Sequence, residues 1–527
     1  MRWLIRVLVL SLCLPIVHAE VPAQAKQGAK PAVADENRFD IFEYRVEGNT
    51  VLPNLTIEEA LYPFLGEKKS FQVVQQARTA LEKAYHDAGY LTVLVDIPEQ
   101  DIKESTVRLS VAEGQVERLK VTGSRYYSLG RIKSKAPEIA EGSVPHFPTL
   151  QKELGEVNRS ADRRVTPVLR PGRSPGKVEV ELKVDDHLPL HGNLELNNRY
   201  SPNTTHSRLT GSLRYDNLWQ LEHSLALQFQ IAPEKINESK VFSANYVVPL
   251  SKGRALALYA LRSDSDSGAL GDVSVIGNGS VAGLRYVLPL PVRGSGFFHS
   301  LTLGGDYKSF NETVNLLGSD SFNTPITYVP FSIGYDATVF GEQRQLQFNA
   351  TLNFSLRGLF NREQEFANKR FDAKPDYAYL RLDYKHTEKI GDWSLFGHVS
   401  GQLTASPLIS NEQFSAGGAE TVRGYLESEV LGDRGGIASL ELRTPQLWQG
   451  GHLPAPTALV FVDGASLQVL EALPSQRSRY RLASTGLGLR WRTKGFSLNL
   501  DWALPFKTTT NTNAHTLRTQ ARLSYDF

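Results

Sequence analysis

Cysteine is almost absent from this chain of 527 residues, which contains only Cys13. Cys13 lies in an apolar N-terminal stretch, and Leu10-Ser11-Leu12 before it lacks the small residue that a lipoprotein signal places there. If that stretch is removed on export, the mature chain contains no cysteine. A mature chain of this kind excludes disulfide bonds and thiol catalysis.

Long apolar runs, a strong charge of one sign and catalytic motifs are lacking as well. No 18-residue apolar run follows the N-terminus, which disfavours membrane-spanning helices, and the formal net charge of +2 disfavours nucleic-acid binding. The sequence has no His-Glu-x-x-His pair, Gly-x-Ser-x-Gly elbow or Walker loop, and its 12 histidines are scattered. We therefore predict a non-enzymatic protein with no catalytic residues, cofactor, metal site or nucleic-acid partner. A hydrolase site assembled from distant loop residues is the alternative left open.

The N-terminus has the pattern of a secretory signal. Arg2 and Arg6 flank the start of an apolar stretch from Val7 to Val17, and a small residue, Ala19, offers a cleavage site. We assign residues 1–19 to a signal peptide. Residues 20–38 are rich in Ala, Lys, Gln and Pro and poor in large apolar side chains, which predicts a disordered leader.

The second half of the chain contains long segments in which apolar and polar residues alternate. The clearest runs from Leu346 to Leu356 without a slip, and similar segments occur at 378–385 and 498–506. A period of two over this length suits a strand that crosses a bilayer with one face towards lipid and the other towards a wet lumen. We predict an antiparallel transmembrane β-barrel over residues 188–527.

The last alternating segment ends the chain on an aromatic residue. It runs from Leu517 to Phe527 and places Tyr525 and Phe527 on its apolar face. The alternative is an ordinary antiparallel strand that happens to end in Phe, but the repetition of the alternation favours the barrel. A terminal Phe after such a strand resembles the signal read by the outer-membrane barrel assembly machinery. We therefore predict that Tyr525 and Phe527 form an assembly signal and that this machinery is a partner during biogenesis.

Two small α+β modules are predicted between the leader and the barrel. The first, residues 39–114, has the order strand, helix, helix, strand, strand, at 42–46, 57–64, a helix capped by Ser70 and ended by Gly89, 91–97 and 106–111. The second, residues 115–187, repeats this character with a strand from Val116, a helix at 149–157 and a strand at 177–184.

Motifs in all three regions resemble those of a known family, the two-partner secretion transporters (TpsB family, ShlB/FhaC/HecB-like). The first module resembles a POTRA domain of that family in Tyr44-Arg-Val-Glu-Gly48, Tyr85-His-Asp-Ala-Gly89-Tyr90 and Val111-Ala-Glu-Gly114. The second resembles the next POTRA domain in Asn158-Arg159, Asp162-Arg163-Arg164 and Leu169-Arg-Pro171-Gly172. The barrel half adds Gly417-Gly418, Thr421-Val-Arg-Gly-Tyr425, Glu441-Leu442-Arg443 and Phe461-Val462-Asp463. The resemblance implies a mixed fold of two α+β POTRA modules followed by a 16-stranded barrel, which leaves about 21 residues per strand.

In that family a loop arginine folds back into the barrel lumen and pairs with the aspartate of a strand motif. The resemblance therefore implies a lumen loop formed by Val422, Arg423, Gly424 and Tyr425, and a lock in which Arg423 pairs with Asp463 beside Phe461. A guanidinium stays protonated in a narrow pore, and a carboxylate that accepts two hydrogen bonds is a natural partner for it. The alternative is an ordinary loop arginine in solvent. The chain departs from the family pattern just after Asp463. The family has a glycine two residues after the aspartate, whereas here Gly464 follows the aspartate directly and Ala465 occupies the glycine position, which leaves the local strand geometry open.

The resemblance also implies a function. The chain would be an outer-membrane pore, surrounded by outer-membrane lipid, with its POTRA modules in the periplasm. These modules would capture an unfolded, TpsA-like partner exoprotein of haemolysin or adhesin type, and the lumen loop would gate its export. Because the leader is too short for the plug helix and linker that family members often have, we predict no plug helix. The alternatives are an outer-membrane assembly or insertion factor, which usually carries more POTRA modules, and a passive porin, which needs none.

Overall fold

The computed structural model describes residues 38–101, 104–202, 204–265, 268–270, 273–275, 278–292, 294, 296–315, 321–448 and 454–527. The predicted signal peptide with Cys13 and residues 20–37 of the predicted leader lie outside this range, and so does the prediction that no plug helix exists. Within the described residues, no helix has the length and apolar character needed to cross a membrane.

The chain folds into two compact units. The first comprises the described residues up to Thr122, Lys133–Arg159 and Val165–Lys183, and the second comprises Gly123–Ile132, Ser160–Arg164 and Val184–Phe527. The domain boundaries assigned from the sequence stay predictions.

The first module has a three-stranded sheet and two helices. Its elements are β1 Phe39–Ile41, β2 Glu43–Glu47, α1 Asn54–Leu61, a 3₁₀ turn Tyr62–Phe64, β3 Gly66–Lys69, α2 Phe71–Asp87, β4 Leu94–Asp96 and β5 Thr106–Ala112. The central strand β5 is parallel to β2 and antiparallel to β4. β1 and β3 form a separate antiparallel pair, which the sequence analysis missed because such short strands show no usable alternation.

The residue pattern of α2 explains how it packs. Val74, Ala77 and Leu81 recur at three- and four-residue steps and are buried on the face that covers the sheet. Gly89 follows the helix with a φ of +96°, a conformation that favours glycine. Ser70 occupies the N-cap position, but its side chain makes no capping hydrogen bond, so the predicted side-chain cap is wrong.

The second module also has a three-stranded sheet. Its elements are β6 Gln115–Thr122, α3 Leu129–Ser134, a 3₁₀ turn Pro137–Ile139, α4 Phe147–Val157, β7 Arg163–Pro171 and β8 Lys177–Asp186. β8 is the central strand and runs parallel to β6. The sequence does not predict β7, because this segment contains Pro167 and Pro171. An edge strand tolerates proline, and β7 lies at the edge of this sheet.

Most of the remaining strands form a closed antiparallel barrel. In chain order the strands of this region are β9 Leu190–Asn197, β10 Arg208–Leu218, β11 His223–Ile231, β12 Ser239–Pro249, β13 Ala255–Ser265, β14 Gly268–Leu270, β15 Val273–Val275, β16 Gly279–Pro289, β17 Phe297–Asn315, β18 Ser321–Tyr328, β19 Phe331–Phe340, β20 Arg344–Phe354, β21 Ala378–Ile390, β22 Trp393–Thr404, β23 Phe414–Ala416, β24 Val430–Gly432, β25 Arg434–Gln446, β26 Thr457–Gln468, β27 Arg479–Arg492, β28 Phe496–Pro505 and β29 Arg518–Asp526. The pairs β14–β15 and β23–β24 form separate two-stranded sheets and are not part of the barrel wall. Because β18 and β19 both pair with the long strand β17, they are two parts of one wall strand, and the wall has 16 strands. The predicted fold class is confirmed.

Three connections of the barrel matter for the site. Loop 5, residues 355–377, carries α5 Glu363–Lys369, loop 6 comprises residues 405–433 and includes β23 and β24, and loop 7 comprises residues 469–478. Each follows an odd-numbered wall strand, so all three start at the barrel end opposite to the first residue of β9 and the last residue of β29. Three further 3₁₀ turns lie in connections of this region, at Ile236–Glu238, Ser251–Gly253 and Ser410–Glu412.

Residues that pair directly across neighbouring strands lie on the same face of the wall, so the register shows which residues face the lumen. Ile437 on β25 is buried against loop 6, and it pairs with Ser400, which pairs with Asp383, which pairs with Asn349 on β20. This row therefore faces the lumen. Leu352 lies on the other face of β20 and is 40% exposed, as expected for a side chain that contacts lipid.

Candidate functional site

Loop 6 lies against the lumen face of the last wall strands. Its residues Val422 and Tyr425 are fully buried and pack with Ile437, Leu467 and Leu482 of β25, β26 and β27. The neighbouring outward-facing residues of β25 and β26 are large, apolar and exposed: Leu440, Leu442, Val460 and Val462. The loop thus contacts the inner surface of the barrel, and its tip lies beside the middle of β26.

Arg423 at this tip is 4% exposed and makes a two-point contact with Asp463. Its Nε lies 2.7 Å from Oδ2 of Asp463 and its second terminal nitrogen lies 2.7 Å from Oδ1. The backbone N–H of Arg423 also donates to Oδ2 of the same carboxylate at 3.1 Å. A bidentate pair fixes orientation as well as distance, and the backbone contact ties the chain of loop 6 to β26.

Further groups complete the surroundings of the guanidinium. Arg423 donates to Oε1 of Glu441 at 2.6 Å and to the Ser439 hydroxyl at 3.1 Å, both on β25. Its guanidinium carbon lies 3.5 Å from the ring centroid of Phe461, a cation–π contact. Asp501 of β28 lies 3.8 Å away.

The charges around Arg423 balance. Arg443 pairs with Glu441 at 2.6 Å, and Arg490 pairs with Asp501 at 2.7 Å, so three arginines face three carboxylates: Arg423, Arg443 and Arg490 with Asp463, Glu441 and Asp501. Buried charges are costly unless they are paired and hydrogen-bonded. Because Asp463 has its arginine partner only when loop 6 is docked, the cluster specifies one position of the loop.

Gly424 and Tyr425 fix the chain next to the arginine. Gly424 has a φ of +89°, and a Cβ there would lie 3.1 Å from the Cβ of Ala503, so the turn needs glycine. The Tyr425 hydroxyl donates to the carbonyls of Ala483 and Lys507, at 3.1 and 3.0 Å. The four residues of the predicted loop motif are therefore all held at the wall.

The departure at Gly464 and Ala465 leaves the strand regular. Asp463 pairs with Ser439 and Ser484, and β26 continues without a register shift through both following residues. The aspartate therefore projects into the lumen from an uninterrupted strand.

Several partners of Arg423 are not predicted from the sequence. Glu441 belonged to a quoted motif but received no role, and Ser439 and Asp501 were not singled out. The available signal was a charged residue on β28, Asp501, and two at alternate positions of β25, Glu441 and Arg443, within otherwise alternating strands. Register between distant strands could not be derived from that signal.

The predicted C-terminal residues lie at the seam that closes the barrel. β29 pairs with β9, and the backbones of Phe527 and Gly192 exchange two hydrogen bonds of 2.8 and 2.9 Å. The Phe527 ring covers Gly192, where a Cβ would come within 2.1 Å of it. Tyr525 lies 5.9 Å from Phe527 and 4.5 Å from Phe496 between ring centroids. Their role as an assembly signal stays a prediction.

One histidine lies in a polar cluster that the scattered spacing of histidines did not indicate. His191 Nε2 lies 3.1 Å from Asp162 and 3.5 Å from Asp216. Arg214 and Ser224 also donate to Asp216, at 2.8 and 2.6 Å. The contacts are those of a hydrogen-bonded network.

The fold and the loop define a class, namely an outer-membrane β-barrel that follows small periplasmic modules and holds an arginine-bearing loop in its lumen. Residues 39–114 match the family model "POTRA domain, ShlB-type", and residues 327–491 match "Haemolysin secretion/activation protein ShlB/FhaC/HecB". The outer membrane transporter CdiB of Dickeya dadantii (strain 3937) is 22% identical over 437 residues, which are 81% of this chain and 76% of that protein. The heme/hemopexin transporter protein HuxB of Haemophilus influenzae (strain 86-028NP) is 20% identical over 481 residues, 84% of this chain and 79% of that protein.

Solved structures share the fold. CdiB from Escherichia coli superposes with a TM-score of 0.59 at 19% identity and covers 95% of this chain and 92% of its own. BamA from Haemophilus ducreyi lacking POTRA domains 1–3 gives 0.57 at 16% identity, covering 93% of this chain and 100% of its own.

Both family models and the relatives support a POTRA-plus-barrel transporter of the two-partner secretion type, the TpsB family to which ShlB, FhaC and HecB belong. These are pore proteins of the outer membrane and not enzymes, and their POTRA domains lie in the periplasm. The family implies a secreted TpsA-like partner. The predictions of family, non-enzymatic class and outer-membrane location are confirmed, whereas the roles of the site residues stay predictions.

Proposed function

We propose that this protein is the pore through which one unfolded exoprotein, of haemolysin or adhesin type, passes from the periplasm to the cell surface. The observation that carries the proposal is the buried Arg423, which anchors loop 6 to Asp463 inside the closed barrel. A loop anchored at mid-height of the wall narrows the lumen and must be displaced or bypassed by a passing chain. Loop 6 is therefore the main obstruction of the resting pore.

The modules at 39–114 and 115–187 act as two POTRA domains that receive the client. An unfolded chain has unpaired backbone groups, which an open sheet edge can bind by strand addition. β4 and β7 each lie at the edge of their sheet, which supports this mode of capture. Because no nucleotide is available in the periplasm, folding of the client outside supplies the direction of transport.

Proteomics of culture supernatant and outer membrane, with and without the gene, tests this function. The proposal predicts loss of one large exoprotein from the supernatant and an unchanged set of barrel proteins in the membrane. Depletion of many barrel proteins from the membrane would instead identify an assembly or insertion factor, and an unchanged supernatant would contradict the proposal.

A further inference from the structure

Loop 5 is packed against the inside of the barrel. Its residues Phe366, Ala373 and Tyr377 are at most 4% exposed and belong to one apolar cluster with residues of the wall and of loop 6. The wall members are Val241, Leu261, Val281, Phe310, Ile326, Tyr328 and Tyr379, and the loop 6 members are Leu408 and Ile409. A loop with this much buried apolar surface has a defined folded position.

The wall beneath loop 5 is apolar on its lumen face, which in an open pore would contact water. Leu261 pairs with Val281, which pairs with Lys308, and Lys308 donates to Glu412 of loop 6 at 2.6 Å. This row therefore faces the lumen, where polar residues are the rule. Apolar residues in the row are stable only when they are covered, and residues of loop 5 and of the start of loop 6 cover them in one apolar cluster.

Loop 6 is fastened to the same region through a buried carboxylate. Glu412 is 1% exposed and accepts hydrogen bonds from the hydroxyls of Tyr328 and Tyr379, both at 2.6 Å, besides that from Lys308. The start of loop 6 is thus held on the side of the barrel formed by β17, β18 and β21.

Between Phe366 and Ala373, loop 5 is also held by what we call the outer clasp, formed by Arg370 and Asp433. Arg370 donates to both carboxylate oxygens of the fully buried Asp433, at 2.7 Å to Oδ2 and with a shorter contact to Oδ1. It also donates to the carbonyls of Leu408 and Leu470, at 2.5 and 2.7 Å. The backbone N–H groups of Leu408 and Leu470 return hydrogen bonds to Asp433, at 2.9 and 2.6 Å. The clasp therefore joins loops 5, 6 and 7 at one point.

The contacts of loop 5 extend over several wall strands. The Phe366 ring lies 5.5 Å from that of Tyr328 on β18, which with β19 forms wall strand 8, and the apolar cluster also includes residues of β12, β13, β16, β17 and β21. Arg370 contacts Asp433, which directly precedes β25, wall strand 12, and Leu470, which follows β26, wall strand 13. Loop 5 consequently extends over the lumen between wall strands 8 and 13, at the end away from the barrel's chain termini, which is the cell-surface end.

We propose that loop 5 is a strap that closes the outer mouth of the pore, and that the outer clasp must open before a chain can emerge. This second closure rests on the proposed function as an export pore, but it acts at a different height and through different residues from the Arg423 lock. At Arg370 the strap is held by a charge pair and by hydrogen bonds to the carbonyls of Leu408 and Leu470, so loss of Arg370 frees the strap from loops 6 and 7.

Maleimide labelling and conductance of the full chain test the strap. In a Cys13→Ser background, Ala373→Cys places a thiol in the apolar cluster, and Glu363→Cys provides an exposed reference on the same loop. A membrane-impermeant maleimide should label Ala373→Cys slowly on intact cells. Arg370→Gln should raise this labelling to the level of the reference. In an Arg423→Ala background, which removes the anchor of loop 6, Arg370→Gln should also increase the resting conductance of purified protein in planar bilayers.

Matched variants make the result decisive. Arg362→Gln changes an exposed arginine of loop 5 and should leave both readouts unchanged. Asp433→Asn tests the clasp from its other side if the Arg370 variant does not insert, and a heat-modifiable band on gels identifies folded barrels. Unchanged labelling, or increased labelling with unchanged conductance, would overturn the proposal. Neither readout uses a client, so a failed secretion experiment leaves this test intact.

Discussion

At the scale of single residues, the position of loop 6 depends on one guanidinium. Arg423 contacts Asp463 with its side chain and its backbone, and its side chain also donates to Glu441. Surface ion pairs contribute little because water competes with them. This pair is buried, so the absence of either partner leaves an uncompensated charge that the wall cannot solvate.

Replacing Arg423 by Ala should lower secretion of the client while the barrel remains inserted. Loss of one partner from a buried pair costs about 3–5 kcal/mol, so loop 6 loses its defined path through the lumen. Client in the supernatant and folded barrel in the outer membrane are the quantities to measure. Arg434→Ala is the control, because Arg434 is an exposed wall arginine that donates to Gln468 at 3.1 Å. Unimpaired export by the Arg423 variant would refute the lock.

At the scale of elements, the strand β20 shows how the two faces of the wall differ. Asn349 belongs to the lumen-facing row and donates to Asp336 at 2.6 Å, whereas its neighbour Ala350 points the other way. Both lie near the middle of a strand that runs from Arg344 to Phe354. A charge placed at position 349 therefore faces the water-filled lumen, whereas a charge placed at position 350 faces lipid.

Arginine at these two positions should have unequal effects. Ala350→Arg should destabilise the inserted barrel by about 2–4 kcal/mol, the cost of a cation near the bilayer midplane. Asn349→Arg should cost much less, because the lumen is polar and Asp336 and Asp383 are close in the register. Reversible unfolding from lipid bilayers in urea measures both. Equal destabilisation by the two variants would contradict the assignment of faces.

The turn at residues 124–127 is an element held by one carboxylate. Asp186 accepts hydrogen bonds from the backbone N–H groups of Arg125, Tyr126 and Tyr127, at 3.0, 2.9 and 3.2 Å, and from the Ser124 hydroxyl at 2.9 Å. Burial acts to raise the pKa of Asp186, but these donors together outweigh it and lower the pKa below the ordinary value of 3.8.

A lowered pKa fixes the sign of the pH dependence. The stabilisation by Asp186 is fully present above its unfolded pKa and is lost as the pH falls through the lower, folded value. Hydrogen-exchange protection of the N–H groups of Tyr126 and Tyr127 should therefore persist at neutral pH and fall only below pH 3.8. Asp186→Asn should remove this pH-dependent part. A loss of protection centred above 3.8 would contradict the assignment.

The elements also show what the sequence could and could not predict. Strict alternation predicted β20, β21, β28 and β29, because one face contacts lipid and the other water. The same rule gives no sign of the strap, since Leu261 and Val281 beneath it are apolar on the lumen face and need the cover of loops 5 and 6. A motif predicted the contact partners Arg423 and Asp463. The clasp of Arg370 and Asp433 joins three loops that are distant in the sequence, and no local sequence pattern predicts that these loops contact one another.

At the scale of the whole molecule, closure of the barrel depends on a short seam. β29 and β9 pair over a few residues only, from Arg522 with Asn197 to Asp526 with Asn193. Beyond this ladder the backbones of Phe527 and Gly192 add two hydrogen bonds, and the aromatic ring covers the glycine. The C-terminal residue thus belongs to the structure that it is proposed to help assemble.

Removing the ring of Phe527 should reduce the amount of assembled barrel. Phe527→Ala uncovers Gly192 and removes the terminal aromatic residue that we propose as the assembly signal with Tyr525. The folded, heat-modifiable fraction in the outer membrane is the quantity to compare. Leu517→Ala serves as the control, because Leu517 is an apolar residue just before β29 that is 62% exposed. Equal amounts of folded barrel in both variants would contradict the role of Phe527.

Passage of a client through the lumen is the central claim, and site-specific photo-crosslinking in living cells tests it most directly. A photoreactive residue at Asn349 faces the lumen, and the same residue at Leu352 faces lipid. We predict that the Asn349 position yields an adduct with one large exported protein, identified by mass spectrometry, and that the Leu352 position yields none. Adducts with the client at both positions, or adducts with many barrel proteins and no exoprotein at Asn349, would contradict export through this pore.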